Sequence, residues 1–192
     1  VETNVNVNDL LLGDKNAVIL AARISGYGEQ YNVNVTCPNC EASIEHQFDL
    51  SEIPHQNGTI PEDDNENVYL TPEGTFVAKL PKSQFSVEFK LLTGQDEEYL
   101  EKVALKTKKL NLPEASATNL LKRLVISVND VNVTSEINNF IDNMPAQDAR
   151  FLRACVTTVT PNVDMTQEVE CSSCGTTSEM AVPFTSEFFW PN

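Results

Sequence analysis

Cys37-Pro38-Asn39-Cys40 and Cys171-Ser172-Ser173-Cys174 decide how this chain is read. The two Cys-x-x-Cys pairs lie near opposite ends of 192 residues, with about 130 residues between them. A two-residue spacer lets one tight turn aim two thiolates at one point, and zinc takes four such sulfurs as a tetrahedron. One pair alone is a weak signal; two pairs in matching surroundings are a strong one. Tyr31-Asn-Val-Asn-Val-Thr36 precedes the first pair and Ala42-Ser-Ile-Glu-His-Gln-Phe48 follows it, both alternating as strands do. Asp164-Met-Thr-Gln-Glu-Val-Glu170 and Thr176-Thr-Ser-Glu-Met-Ala-Val182 flank the second pair in the same way. Strand, turn, strand on each side predicts two knuckles that face each other as one zinc ribbon. Cys37, Cys40, Cys171 and Cys174 are then the ligands of a single structural zinc.

The similarity between the two ends extends upstream. Asp14 stands 23 residues before Cys37, and Asp148 stands 23 residues before Cys171. Each opens an apolar stretch, Ala17-Val-Ile-Leu-Ala-Ala22 and Phe151-Leu-Arg-Ala-Cys-Val156. The expectation is a unit of helix, strand, knuckle and strand that occurs twice around one metal. Chain closure over this distance costs roughly 4 kcal/mol of loop entropy. A structural zinc site returns on the order of 10–16 kcal/mol in peptide hosts. The metal can therefore join the two ends even with a modest core.

Other chemistries for these cysteines are weaker. A redox pair of the thioredoxin kind needs its first Cys at a helix start, and here strand-like text follows each pair. No signal-peptide pattern opens the sequence as given, so the expectation is reduced thiols and not disulfides. Four buried thiols without metal remain the bland alternative. Cys155 sits within an apolar helical pattern beside Phe151, Leu152 and Val159 and reads as a core residue. The only histidines, His46 and His55, lie in polar or strand-edge text, and four cysteines already complete a tetrahedron.

Charge narrows the function classes. The net charge is −15, from 13 Lys and Arg against 28 Asp and Glu. Residues 79–123 hold nine of the bases against six acids, a net of +3, which leaves −18 for the rest. Phosphate repulsion makes so acidic a chain a poor general nucleic-acid binder. The run Lys102, Lys106, Lys108 and Lys109 reads as a solvated helix face, or as a docking patch for an acidic partner. No apolar run is long enough for a transmembrane helix.

Between the knuckles the text changes character. Asn8-Asp9 caps a first helical stretch that continues from Gly13-Asp14 through Arg23, and Gly26-Tyr27-Gly28 ends it. Residues 51–67 read as an exposed connection. Tyr69–Lys79 and Gln84–Leu92 read as two strands of a hairpin turned by Pro81-Lys82-Ser83. Acids in Thr93-Gly-Gln-Asp-Glu-Glu98 sit where a helix N-terminus favours them, and that helix runs to about Leu110. Further helices are expected over Ala117–Ser127, from Thr134 or Ser135 to Asn143, and from Pro145 onward. The fold class is α+β: helices and an antiparallel hairpin closed by a four-Cys ribbon from N- and C-terminal knuckles. Residues 1–50 and 144–192 form a discontinuous ribbon module with flanking helices, and 68–143 form an inserted region.

The tail Pro183-Phe-Thr-Ser-Glu-Phe-Phe-Trp-Pro191 carries three Phe and the only Trp of the chain. Phe188, Phe189 and Trp190 either pack on the protein's own core or anchor a partner.

Several segments in this order resemble a known family. They are Gly13-Asp14-Lys15-Asn16, Tyr27-Gly28 before Cys37-Pro-Asn-Cys40, Leu92-Thr-Gly-Gln-Asp-Glu-Glu98, and Pro145-Ala-Gln-Asp-Ala-Arg-Phe-Leu-Arg153. Cys171-Ser-Ser-Cys-Gly175, Val182-Pro-Phe184 and Phe188-Phe-Trp-Pro191 complete the series. Together they are similar to the baseplate hub proteins of T-even-like contractile-tailed phages. The resemblance covers nearly the whole chain and is thinnest over about 50–75 and 111–140. It implies a structural or assembly protein with no enzymatic activity, whose partners are other baseplate or tail hub proteins. It implies a place in the host cytoplasm during assembly, and in the virion tail baseplate if the protein is retained there. Self-association as a homo-oligomer stays open. A ribbon module that binds nucleic acid or transcription machinery is the alternative, and the charge balance opposes it. A catalytic zinc is disfavoured, because four Cys ligands leave no position for water.

Overall fold

The computed structural model describes residues 6–56, 58, 67–109 and 115–190. In chain order the elements are α1 (Leu12–Tyr27), β1 (Gln30–Thr36), β2 (Ser43–Asp49), β3 (His55–Gln56), β4 (Val68–Leu70), β5 (Phe76–Lys79) and β6 (Ser86–Phe89). There follow α2 (Gly94–Lys109), α3 (Ser116–Leu124), β7 (Val125–Val128), α4 (Thr134–Asp142), α5 (Ala146–Val159), β8 (Asn162–Val163), β9 (Thr166–Glu170), β10 (Thr177–Ala181) and α6 (Ser186–Phe189). The chain divides into two compact units. One combines Gly13–Gln56 with Asn162–Asn192 and holds both cysteine pairs. The other combines Val1–Leu12 with Asn57–Pro161.

The cysteine-bearing unit is built on two antiparallel hairpins, β1–β2 and β9–β10. Strict alternation along Gln30–Thr36 buries Tyr31, Val33 and Val35 and leaves Gln30, Asn32, Asn34 and Thr36 exposed. On β2 the register sets Ile44 opposite Val35 and Phe48 opposite Tyr31, so both strands send apolar side chains to one side. This core also takes Leu20 from α1, Val169, Val182 and Phe188. Residues His55–Gln56, expected to be connection, pair antiparallel with Asn162–Val163 as a short two-stranded sheet.

The other unit is a four-stranded antiparallel sheet in the order β4-β5-β6-β7. Its pairing lines up Val68, Ala78, Val87 and Val128 across all four strands, and all four are buried. Leu121 and Leu124 of α3, Ile137 and Ile141 of α4, and Leu152, Cys155 and Val159 of α5 belong to the same core. Cys155 is therefore a core residue, as its apolar neighbours in the sequence imply.

Two elements differ from the sequence reading. The segment Tyr69–Lys79 is not one strand but a hairpin, because Pro72-Glu73-Gly74 turns it between Thr71 and Thr75. Gly74 has φ +82°, a conformation that costs glycine little. The helix expected over Ala117–Ser127 ends at Leu124, and Val125-Ile126-Ser127-Val128 forms β7. Its β-branched residues suit a pleated surface, and pairing with β6 outweighs the helical periodicity before them. The end of α2 expected near Leu110, Asn111 and Pro113 lies outside the described residues.

Candidate metal centre

Each knuckle is a tight turn closed by the same two backbone bonds. The Cys37 amide donates to the Ala42 carbonyl at 3.0 Å, and the Glu41 amide donates back to the Cys37 carbonyl at 3.0 Å. In the second knuckle the Cys171 amide donates to Thr176 at 3.0 Å, and the Gly175 amide to Cys171 at 2.8 Å. Both turns need a left-handed residue just after the second cysteine: Glu41 has φ +59° and Gly175 has φ +69°. The repeat legible in the sequence is thus exact in hydrogen-bond pattern at the knuckles. A helix precedes the strands of each knuckle, α1 with Asp14 and α5 with Asp148 in the first turn, but nearly all of α1 lies in the knuckle unit and α5 lies in the other.

The four sulfurs meet. Cys37 Sγ lies 3.8 Å from Cys174 Sγ, and Cys40 Sγ lies 3.8 Å from Cys171 Sγ. All four fall within 4.8 Å of one another. A tetrahedral centre with metal–sulfur bonds of about 2.3 Å has sulfur–sulfur edges of about 3.8 Å. The donor set and the spacing therefore fit a tetrahedral ion. Cys37 and Cys171 are buried, while Cys40 and Cys174 face solvent.

Electrostatics point the same way. Backbone amides of Cys40 and Asn39 hydrogen-bond the Cys37 sulfur and hold its thiol below the usual range. The Thr176 hydroxyl, the Thr176 amide and the Asn39 side chain bring Cys174 down to about 6. The Ala42 amide pulls Cys40 down too, but the Cys174 sulfur, desolvation and the other two sulfurs prevail and push it up to about 12. The cluster thus favours thiolates at some positions and retains a proton at another, because four adjacent negative charges repel. A dication among the four would replace the remaining protons.

Asn39 and Thr176 escaped the sequence reading. Asn39 Nδ2 reaches from the first knuckle to Cys174 Sγ at 3.7 Å and to Thr176 Oγ1 at 3.2 Å. Donors of this kind orient ligands and tune their basicity. An amide side chain between two cysteines was the available signal, but its target lies 135 residues away. His46 lies edge-on to Phe48, 4.6 Å between ring centroids, and is not in the sulfur cluster.

The aromatic tail divides. Phe188 is fully buried and meets Tyr31 edge-on at 5.2 Å. Tyr31 Oη donates to the Pro183 carbonyl at 3.1 Å, which pins the start of the tail. The Arg23 guanidinium lies 5.7 Å from the Tyr31 ring centre and 5.8 Å from that of Phe188. Its terminal nitrogens donate to the Gly28 and Gln30 carbonyls. Phe189 and Trp190 remain exposed.

A family model described as T4 bacteriophage base plate protein matches residues 1–190. The chain belongs to that family. Neither the curated proteins nor the solved structures contain a match. A base plate protein belongs to the phage tail and works among other tail proteins, so membership assigns this chain a structural setting. The mixed helix-and-sheet architecture with its ribbon-like sulfur cluster is a feature of this base plate protein.

Proposed function

We propose that the protein is a non-enzymatic structural or assembly component of the baseplate hub, held together by one zinc and acting through protein–protein contacts. The match to base plate proteins along residues 1–190 carries this reading. Zinc is the ion that suits four thiolates in a closed tetrahedron, with no open position for a reacting water. The knuckle unit holds eleven acids against two bases, a net charge of −9, which counts against a nucleic-acid ribbon. Partner contact is assigned to the tail at Phe188, Phe189 and Trp190, with Phe188 as the internal support. The protein acts in the host cytoplasm while the hub assembles.

Two measurements test this. Native mass spectrometry of the folded chain should show one zinc per chain, and four titratable thiols should appear only after chelation. Co-expression with the neighbouring tail proteins should yield a complex containing hub components. A folded chain without metal would remove the zinc. A complex with peripheral tail proteins only would remove the hub assignment.

A further inference from the structure

The C-terminal end forms a ledge of aromatic rings, braced from beneath. Phe184 is 48% exposed, Phe189 38% and Trp190 73%. Buried Phe188 supports them: its ring centre lies 4.9 Å from that of Phe184 and 5.1 Å from that of Phe189, both edge-on. Phe184 and Phe189 stack at 6.4 Å, and Trp190 follows Phe189 at 5.9 Å. The Thr185 hydroxyl accepts from the Glu187 amide and caps the turn that holds Phe188 and Phe189. Side chains fixed in this way lose little rotational freedom when a partner covers them, so contact area converts efficiently into affinity.

The surroundings indicate what covers the ledge. Glu187 lies between Thr185 and Phe188 and is exposed, and Glu179 of β10 is a further exposed acid of the same unit. Of the two bases in this unit, Arg23 is buried beneath the rings, so Lys15 is left against eleven acids. An apolar knob on so negative a surface meets a positive rim without like-charge repulsion. We infer that Phe184, Phe189 and Trp190 dock into an apolar socket, rimmed by Lys and Arg, on another protein of the baseplate. This rests on the protein–protein reading above and adds a defined surface and the partner's charge.

Trp190 is the only Trp, so its fluorescence reports on the ledge. The probes are the other baseplate proteins of the same phage, purified singly and titrated into the zinc-loaded full chain. With one of them, the emission should move to shorter wavelength as water leaves the indole. By calorimetric titration, Trp190→Ala should weaken binding about 30-fold or more with an unchanged melting temperature. Phe184→Ala should weaken it about 10-fold. Glu179→Lys with Glu187→Lys, or raising salt to a few hundred millimolar, should weaken it about 5-fold, mainly through slower association. Binding that ignores Trp190→Ala overturns the ledge and leaves the protein–protein reading intact. Binding that ignores both salt and the two charge reversals overturns the basic rim. Concentration-dependent sedimentation of the chain alone, with the same emission shift, makes a second copy the occupant and overturns the inference. Failure of every baseplate protein to bind overturns the inference and the reading beneath it.

Discussion

The sheet-bearing unit and the cysteine-bearing unit close their cores by different means. In the first, the row Val68, Ala78, Val87 and Val128 runs unbroken across four strands, and residues from three helices cover it. Every inner strand there has neighbours on both sides. In the second, the two main hairpins have only two strands each. An isolated hairpin is marginal in water, because it buries too little to offset the ordering of its backbone. These hairpins share a core through Val169, Val182 and Phe188, and are joined further by a cluster of sulfurs and by a tail folded onto Tyr31. A unit with four paired strands and three covering helices can hold its core without a cross-link, whereas one made of two-stranded hairpins gains from one.

The harshest test of this contrast is to remove the cross-link. Chelation of the zinc-loaded protein, or Cys171→Ser, should cost the knuckle unit on the order of 10 kcal/mol. Hydrogen exchange should then become fast in β1, β2, β9 and β10 while the amides of Val87 and Phe89 stay protected. Simultaneous loss of protection in both sets would show that the two units do not stand independently.

A smaller effect isolates the tail. Phe188→Ala removes a fully buried ring and should cost about 3–5 kcal/mol even with metal bound. Trp190→Ala should change stability by less than about 0.5 kcal/mol, measured by denaturant melting. Equal effects would mean that the tail is not divided into an inner and an outer half.

The other unit has its own weak point at Asp96. This carboxylate is 1% exposed and accepts from Lys90 Nζ at 2.7 Å, Arg123 Nε at 2.5 Å and the Thr93 amide at 3.1 Å. Burial raises its pKa, but Lys90, Thr93 and Arg123 together outweigh that and hold it below the usual carboxylate value of 3.8. Its contribution is therefore complete above that value and is lost as pH falls through the lowered one. Asp96→Asn should destabilise the sheet unit by about 3 kcal/mol at neutral pH and flatten its acid unfolding curve. Protection of the hairpin amides should not change.

The finest comparison is between the knuckles themselves. Glu41 and Gly175 occupy equivalent left-handed positions, yet only glycine does so without strain. Glu41→Gly should raise the melting temperature slightly, a gain of under about 1 kcal/mol, and Gly175→Ala should cost about 1 kcal/mol. Opposite signs confirm that the turns are equivalent; equal signs would separate them.

Much of this was legible in the residues. The spacing of Cys37, Cys40, Cys171 and Cys174 identified the site, since two residues between thiols is a local constraint that any fold must respect. Alternation over Tyr31–Thr36 announced its strand for the same reason. Val125–Ser127 was misread as helix, because its pairing partner β6 lies almost forty residues earlier and the local period favoured α3. Asp148 looked like the opening of a helix that matches Asp14. It does lie in the first turn of α5, and what the sequence hid is that its buried carboxylate also accepts the amides of Lys82 and Ser83 at 2.7 and 2.9 Å and secures the β5–β6 turn.

The sequence by itself determined the knuckles, the alternating strands around them, and the acidic balance of the chain. These follow from neighbours within a few residues or from a sum over all of them. Only the tertiary structure decided that the sulfurs meet at tetrahedral distances, that Asn39 reaches Cys174, and that Phe188 turns inward while Trp190 turns out. Each of these depends on groups more than a hundred residues apart, whose meeting is set by packing and not by local preference.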